Sequence, residues 1–364
     1  MTALKAKNET VLGLENISVA ESNLSFIDGL RGILGYKGRN IETIAFDQDF
    51  VSVCSLLWQG LTKTEDLHEG FGEARSLAFE LMEKRPQILL REPMAAIRAG
   101  ILAMADVSSE LAPEILIVGS IPVWISGWYA MHTNLPALAP KPELAPVNDY
   151  LRMLFRAEAD PALVRALETY LITVADHGMN ASTFTARVIA STHSDMFSAV
   201  VGAIGALKGP LHGGAPGPVL DMLESIKTIE NAEPWIRREV ASGKRIMGMG
   251  HRIYRTRDPR AAIFERAIDL LSHSGISAEQ LHFAREVEQA CEKVLGELKP
   301  KIPIKANVEF YTAVLLDSIG LERSLFTPTF AFGRAVGWCA HIYEEKKYGR
   351  LIRPQLTYVG PQIF

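Results

Sequence analysis

The sequence predicts a mainly α protein that carries a short β-rich segment near its N-terminus. From Asp49 onward, apolar residues recur at helical spacing, first as Val51, Val53, Leu56 and Leu57 and then as Leu77, Phe79, Leu81 and Met82, and strand-like alternation hardly returns. Ahead of that point, GLENISVAESNLSFIDGLRGILGYKGRNIETIA mixes β-formers with Asp28-Gly29, Gly32, Gly35 and Gly38, which marks short strands and tight turns. A length of 364 residues, 48% apolar and 22% charged, is enough to bury a large core, as one big domain or two intimate ones.

Helices are expected at about 93–106, 111–131, 147–157 and 161–175. Between the second and third, LPALAPKPELAP has four prolines in twelve residues, but its interleaved leucines and alanines read as a surface loop rather than a domain linker. In DHGMNASTFTARVIASTHSDM, Asp176 and His177 precede a helix that Asn180 or Ser182 can cap, with Phe184, Val188 and Ile189 on one face. The following SDMFSAVVGAIGALKG is a helix whose Ser198, Gly202, Gly205 and Ala206 permit close approach of a neighbour, within the fold or across a dimer. Residues from about 215 to 323 are more charged, as in AREVEQACEKVLGELKPK, and read as an inserted smaller domain. Within it, Asn231 with Pro234 opens a helix ending at Gly243, and Ser277 with Gln280 forms a capping-box pattern.

Composition excludes several classes. A net charge of −4 gives no global field for nucleic acid or an anionic membrane, so anion recognition must rest on individual basic residues. Cys54, Cys291 and Cys339 lie far apart without a CxxC pair, which argues against a disulfide framework and a cysteine zinc site and makes a reduced, cytoplasmic setting the expectation. No apolar signal region opens the chain, and polar residues or proline interrupt the longer apolar windows, so neither export nor membrane insertion is expected. With no HExxH, no acidic metal cluster and no G-x-G-x-x-G after a strand, neither metal nor redox nucleotide is indicated.

Chemistry-bearing residues fall in five stretches. KGPLHGGAPGPVL, from Lys208 to Leu220, sets His212 among four glycines and three prolines at a helix junction, where free backbone N–H groups can meet a carbonyl or an anion. KRIMGMGHRIYRTRDPRAAIFERAIDLL frees the backbone at Gly248 and Gly250 before His251, and its Asp258-Pro259 start puts Arg260 in a first helical turn. A cation there opposes the helix dipole, and either an anionic ligand or an ion pair with Asp258 or another carboxylate would resolve the conflict. IKANVEFYTAVLLDSIGL has Asn307 as N-cap and Glu309 in the first turn, where a carboxylate is favoured by the dipole. TPTFAFGRAVGWCAHIYEEKK carries Arg334 on an apolar helix, which demands a partner, either structural or substrate. LIRPQLTYVGPQ places Arg353 in an extended tail, because the residue before a proline is biased away from helix.

Together, these segments resemble the citrate synthase family, including 2-methylcitrate synthase. The match runs from the N-terminal β-rich segment through GPLHGGAP, GMGHRIYRTRDPR, NVEFYTAVLLDSIG and GRAVGWCAHIYEE to RLIRP. The resemblance implies a two-domain helical homodimer, with residues 1–213 and 324–364 forming a large domain and 214–323 a small one that closes over the substrates. It places His212 on the thioester oxygen of acetyl-CoA, His251 on the oxaloacetate ketone and Glu309 as the base that removes the methyl proton. The family normally has an aspartate at this last position, so Glu309 keeps the carboxylate with one more methylene.

By the same resemblance, His177, Arg260 and Arg334 bind oxaloacetate, and Arg353 reaches the site of the other subunit. Arg255 and the backbone of Ile246, Met247, Gly248, Met249 and Gly250 contact CoA. The implied reaction joins acetyl-CoA to oxaloacetate and hydrolyses citryl-CoA to citrate and CoA, with no cofactor beyond acetyl-CoA as substrate. Propionyl-CoA is the alternative substrate, and a catalytically silent CoA-binding assembly protein is the alternative of another class. The chain lacks the additional N-terminal region of the family's NADH-regulated hexameric branch, so that regulation is not expected.

Overall fold

The structure is a computed structural model that describes residues 11–14, 17–63, 66–90, 92–213, 216–251, 253–274, 279–300 and 304–361. Its β-rich beginning is one antiparallel ribbon: β1 (Ser25–Asp28), β2 (Ile33–Tyr36) and β3 (Arg39–Asn40), with Asp28 opposite Ile33 and Ser25 opposite Tyr36. Among the described residues, every later regular element is a helix. The order is α1 (Ile41–Asp47), α2 (Phe50–Trp58), α3 (Leu67–Lys84), α4 (Pro93–Met104), α5 (Pro113–His132), α6 (Pro146–Phe155), α7 (Pro161–Val174), α8 (Ala181–Ala190) and α9 (Met196–Leu207). The chain continues through α10 (Pro216–Ile226), α11 (Ala232–Ala241), α12 (Pro259–His273), α13 (Glu279–Leu298), α14 (Val308–Ile319) and α15 (Phe326–Tyr348).

The start signals operate as chemistry requires. Asp160 and Asp258 each accept a backbone N–H and are followed by proline, whose missing N–H costs nothing in a first turn. Asn180, rather than Ser182, caps α8, and its Oδ1 lies 2.7 Å from the Ser182 hydroxyl, which can donate to it. Asn231 does stand at the start of α11, but its side-chain amide donates to the Ile226 carbonyl instead of capping. The predicted capping pattern at Ser277 lies outside the described residues.

Two helices form the interior. Helix α5 is buried along most of its length, and although it is long and apolar enough to cross a membrane, it occupies the position of a core helix. Helix α15 is buried almost throughout and packs against α2, α5, α7, α8 and α9. A Cβ at Gly333 would lie 2.9 Å from the Leu171 carbonyl oxygen, and one at Gly337 would lie 2.2 Å from that of Ala175. Only glycine allows this approach, and it brings Arg334, one residue away, under the C-terminal end of α7.

The proline-rich stretch is a loop, as composition suggests, and it is anchored. Buried Arg75 pairs with Asp149 at 2.8 Å and donates to the Leu144 carbonyl, while Asp149 also accepts the Lys141 N–H. On α9, Gly202 meets the Ile189 side chain of α8, so this glycine serves packing within the chain.

Candidate active site

Three chain segments converge beside the buried face of α15. The first is the turn between α7 and α8, which carries His177. Tyr36 accepts the Asp176 N–H at 3.1 Å and lies 3.0 Å from the Thr173 carbonyl, so the ribbon closes the end of α7. The Asp176 carboxylate accepts from Ser25 Oγ at 2.5 Å and from His341 Nε2 at 3.1 Å. His341 Nδ1 lies 2.9 Å from Arg187 Nη1, and a guanidinium can only donate. The His341 proton is therefore on Nε2, aimed at Asp176. Arg187 in turn pairs with Glu344 and Glu345, all three buried.

The second segment is the 246–258 loop. Gly248 and Gly250 have φ of 74° and 86°, left-handed conformations that favour glycine. The Gly250 N–H donates to Lys305, the Asn307 N–H to Gly248, and the Asn307 amide to the Gly250 carbonyl. The same Asn307 caps α14 through the Glu309 N–H. Asn307 thus ties the His251 loop to the start of the helix that presents Glu309.

His251 Nδ1 accepts two backbone N–H groups, from Ile253 at 3.0 Å and Tyr254 at 3.1 Å. Its proton is consequently on Nε2, which lies 3.5 Å from Arg260 Nη2. Two donors side by side form a cradle that an oxygen acceptor would complete. Burial, then the Arg260 charge, lowers the His251 pKa to about 4, so the ring is a neutral donor at physiological pH. Its ring centroid is 5.7 Å from that of His177, and Tyr254 joins the pair with its hydroxyl 3.1 Å from His177 Nε2. Burial, aided by Arg260, Arg334 and His251, keeps His177 neutral too.

Arg260 resolves its conflict with the helix dipole through Asp258: Nε and Nη2 reach the two carboxylate oxygens at 3.0 and 2.7 Å, and both residues are buried. The first-turn cation is thus held by its own cap. Arg334 differs. Its Nε donates to the Val174 carbonyl at 2.5 Å and its guanidinium lies 4.7 Å from the Phe330 ring centroid, but no carboxylate among the described residues pairs with it. Burial lowers its pKa only to about 10, so it stays charged.

The third segment is the turn after α9. His212 Nε2 is 2.8 Å from Ser182 Oγ and 3.4 Å from the Ser182 N–H, which can only donate; with the Ser182 hydroxyl proton turned to Nε2 rather than to Asn180 Oδ1, the His212 proton sits on Nδ1. Trp338 Nε1 donates to the same Ser182 Oγ at 3.2 Å, fixing it from α15. Burial and then Arg334 lower the His212 pKa to about 4.

Glu309 is partly buried, and among the described residues no hydrogen bond or ion pair holds its carboxylate. Burial raises its pKa to about 7, against the pull of Arg260 and Arg334 and with a push from Asp258. A carboxylate near 7 is matched to general-base work at neutral pH. If Glu309 is that base, kcat/KM rises with pH through about 7 and levels above it, because the protonated acid cannot accept a proton. A pH–rate profile from about 5 to 9 checks this.

The fold therefore gathers His177, His251, Arg260, Arg334 and Glu309, with His212 reached through Ser182. Ile246 is buried, Met247 and Met249 are half-buried, and Met249 pairs with Ala306. Arg255 is exposed, as is Arg353 in its extended tail, and neither touches the cluster within this chain. Tyr254, Asp176, Ser182 and His341 were not legible as site residues. His341 had a signal, since it stands seven residues after Arg334 on the same helix face. Among the described residues, no group of three or more His, Cys, Asp or Glu could hold a metal.

Neutral imidazole donors, a charged guanidinium without a carboxylate partner and a carboxylate tuned near neutrality define a helical enzyme of carbonyl and proton-transfer chemistry. The chain belongs to the citrate synthase family: the model for "Citrate synthase, C-terminal domain" matches residues 13–355. It is 35% identical to citrate synthase of Acidithiobacillus ferridurans and to citrate synthase 2 of Bacillus subtilis, each over 96% of this chain and 95% of the relative. Among solved structures, Thermotoga maritima citrate synthase superposes with a TM-score of 0.83 at 31% identity, covering 97% of this chain and 96% of the other. The Thermoplasma acidophilum enzyme, in a ternary complex with carboxymethyl coenzyme A and oxaloacetate, gives 0.85 at 30% identity, covering 97% of both chains.

Proposed function

We propose that this enzyme condenses acetyl-CoA with oxaloacetate and hydrolyses the citryl thioester to citrate and CoA. The observation that carries the reading is Arg334: a buried, charged guanidinium without a carboxylate partner is completed by an anionic substrate. A keto dicarboxylate supplies that charge, and its ketone oxygen suits the paired donors His251 Nε2 and Arg260 Nη2. Glu309 would remove the thioester methyl proton while His212 Nδ1–H meets the developing enolate oxygen. The enolised carbon then attacks the polarised ketone.

The Thermoplasma complex with both ligand types supports the substrate pair. Thiol release with oxaloacetate and acetyl-CoA tests it, run beside propionyl-CoA. A higher kcat/KM for propionyl-CoA would transfer the assignment to 2-methylcitrate formation. CoA binding with no thiol release from either would leave a binding protein.

Arg255 and the 246–250 backbone would contact CoA, residues 214–323 would close as a small domain to exclude water, and the setting would be cytoplasmic. Exposed Arg353 would complete the site of a second subunit in a homodimer. A mixture of inactive His212→Ala and Arg353→Ala subunits is then expected to regain activity after subunit exchange, because one heterodimer site is intact. Verified exchange without recovery would exclude sharing.

A further inference from the structure

The ribbon at the start of the fold touches both histidine-bearing segments of the oxaloacetate half-site. On one side, Ser25 Oγ donates to Asp176 at 2.5 Å and accepts the Gly178 N–H at 3.1 Å, gripping the residues that flank His177. On the other, the turn between β1 and β2 lies against the loop that follows His251. That turn is organised by Asp28, which accepts the N–H groups of Leu30 and Arg31. Its Gly29 carbonyl accepts the Arg255 N–H at 2.8 Å.

The fit leaves no space for a side chain. A Cβ on Gly29 would lie 2.4 Å from the Ile253 carbonyl oxygen, and one on Gly32 would lie 2.8 Å from Thr256 Oγ1. The Ile253 carbonyl and the Tyr254 N–H belong to one rigid peptide plane. That N–H is one of the two that bind His251 Nδ1 and place the imidazole proton on Nε2. Gly29 therefore bears on the peptide that sets the tautomer of His251.

We propose that the β1–β2 turn is a positioning element, in which Gly29 braces the Ile253–Tyr254 peptide so that His251 keeps Nε2–H aimed at the keto acid while Ser25 holds the His177 turn in register. The proposal rests on the oxaloacetate reading above. It assigns the ribbon a task in the chemistry, although none of its residues touches a reacting atom.

Gly29→Ala tests it, with Gly38→Ala as control. Gly38 lies in the other turn of the same ribbon, with φ of 78° and nothing within 4 Å of a Cβ placed there, so it strains the backbone without touching the loop. Wild-type enzyme must first release thiol with oxaloacetate and acetyl-CoA, and failure at that stage overturns the proposed function rather than the brace. Gly29→Ala is then expected to lower kcat/KM for oxaloacetate by roughly 10- to 100-fold, the scale of a misplaced catalytic group. The KM for acetyl-CoA is expected to stay unchanged, and the infrared stretch of the bound ketone to move toward its value in solution. Gly38→Ala is expected to leave all three at wild-type values.

Unchanged oxaloacetate kinetics in folded Gly29→Ala would overturn the brace. So would a parallel loss in both substrates with no change in the ketone stretch, which would make the contact merely structural. Should Gly29→Ala not fold, Ser25→Ala adds no bulk and decides by the same readings: a selective oxaloacetate defect supports the proposal, and wild-type values end it.

Discussion

Glu309→Gln is expected to lower kcat by about 10²- to 10⁴-fold while oxaloacetate still binds, the range typical for loss of a positioned general base. Glutamine keeps the shape and loses only the ability to take a proton. Rapid thiol-release kinetics and calorimetric titration with oxaloacetate measure the two effects, and near-normal turnover would remove Glu309 from the base role. The same variant is expected to melt at higher temperature than the native chain near pH 8. Burial raises the folded pKa of Glu309 from 4.5 to about 7. A carboxyl whose folded pKa is raised favours the fold fully below its unfolded pKa and loses that contribution as pH rises through the folded value. The melting difference should therefore be largest above about pH 7 and vanish below about 4.5.

Arg334→Gln carries the second large effect. Its guanidinium is buried, charged and free of carboxylate partners among the described residues, whereas Arg260 is already neutralised by Asp258. Removing one member of a buried, hydrogen-bonded charge pair costs about 2–5 kcal/mol, so kcat/KM for oxaloacetate is expected to fall by roughly 30- to several-thousand-fold. Steady-state kinetics with oxaloacetate varied checks it. A loss of less than tenfold would mean that the dicarboxylate is held elsewhere.

Helix starts were legible because local chemistry determines them: Asp258-Pro259 and Asn180 act as caps wherever the chain goes next. The stretches around His212, His251 and Glu309 were legible too, since glycines and a capping asparagine announce a special backbone. Tertiary pairing was not. Asp258, another carboxylate and an anionic ligand were all open solutions for Arg260 until the side chains were placed, and only the fold showed the ion pair with Asp258. Tyr254 and Ser182 became site residues through contacts spanning 77 and 30 positions, which no local pattern encodes. His341 depends on such a contact as well, meeting Asp176 across 165 positions.

The position of Arg334 has one more consequence. Its field depresses the basicity of Glu309 and of both His177 and His212. On the proposed reading, a dianion seated on that guanidinium would cancel the field, and Glu309 would become a stronger base only once the keto acid had arrived. In pH profiles, the acid limb of kcat at saturating oxaloacetate then lies above that of kcat/KM. Such a site would carry its own sequence of events as an electrostatic interlock: the proton would be hardest to remove from acetyl-CoA when there is nothing for the resulting carbanion to attack.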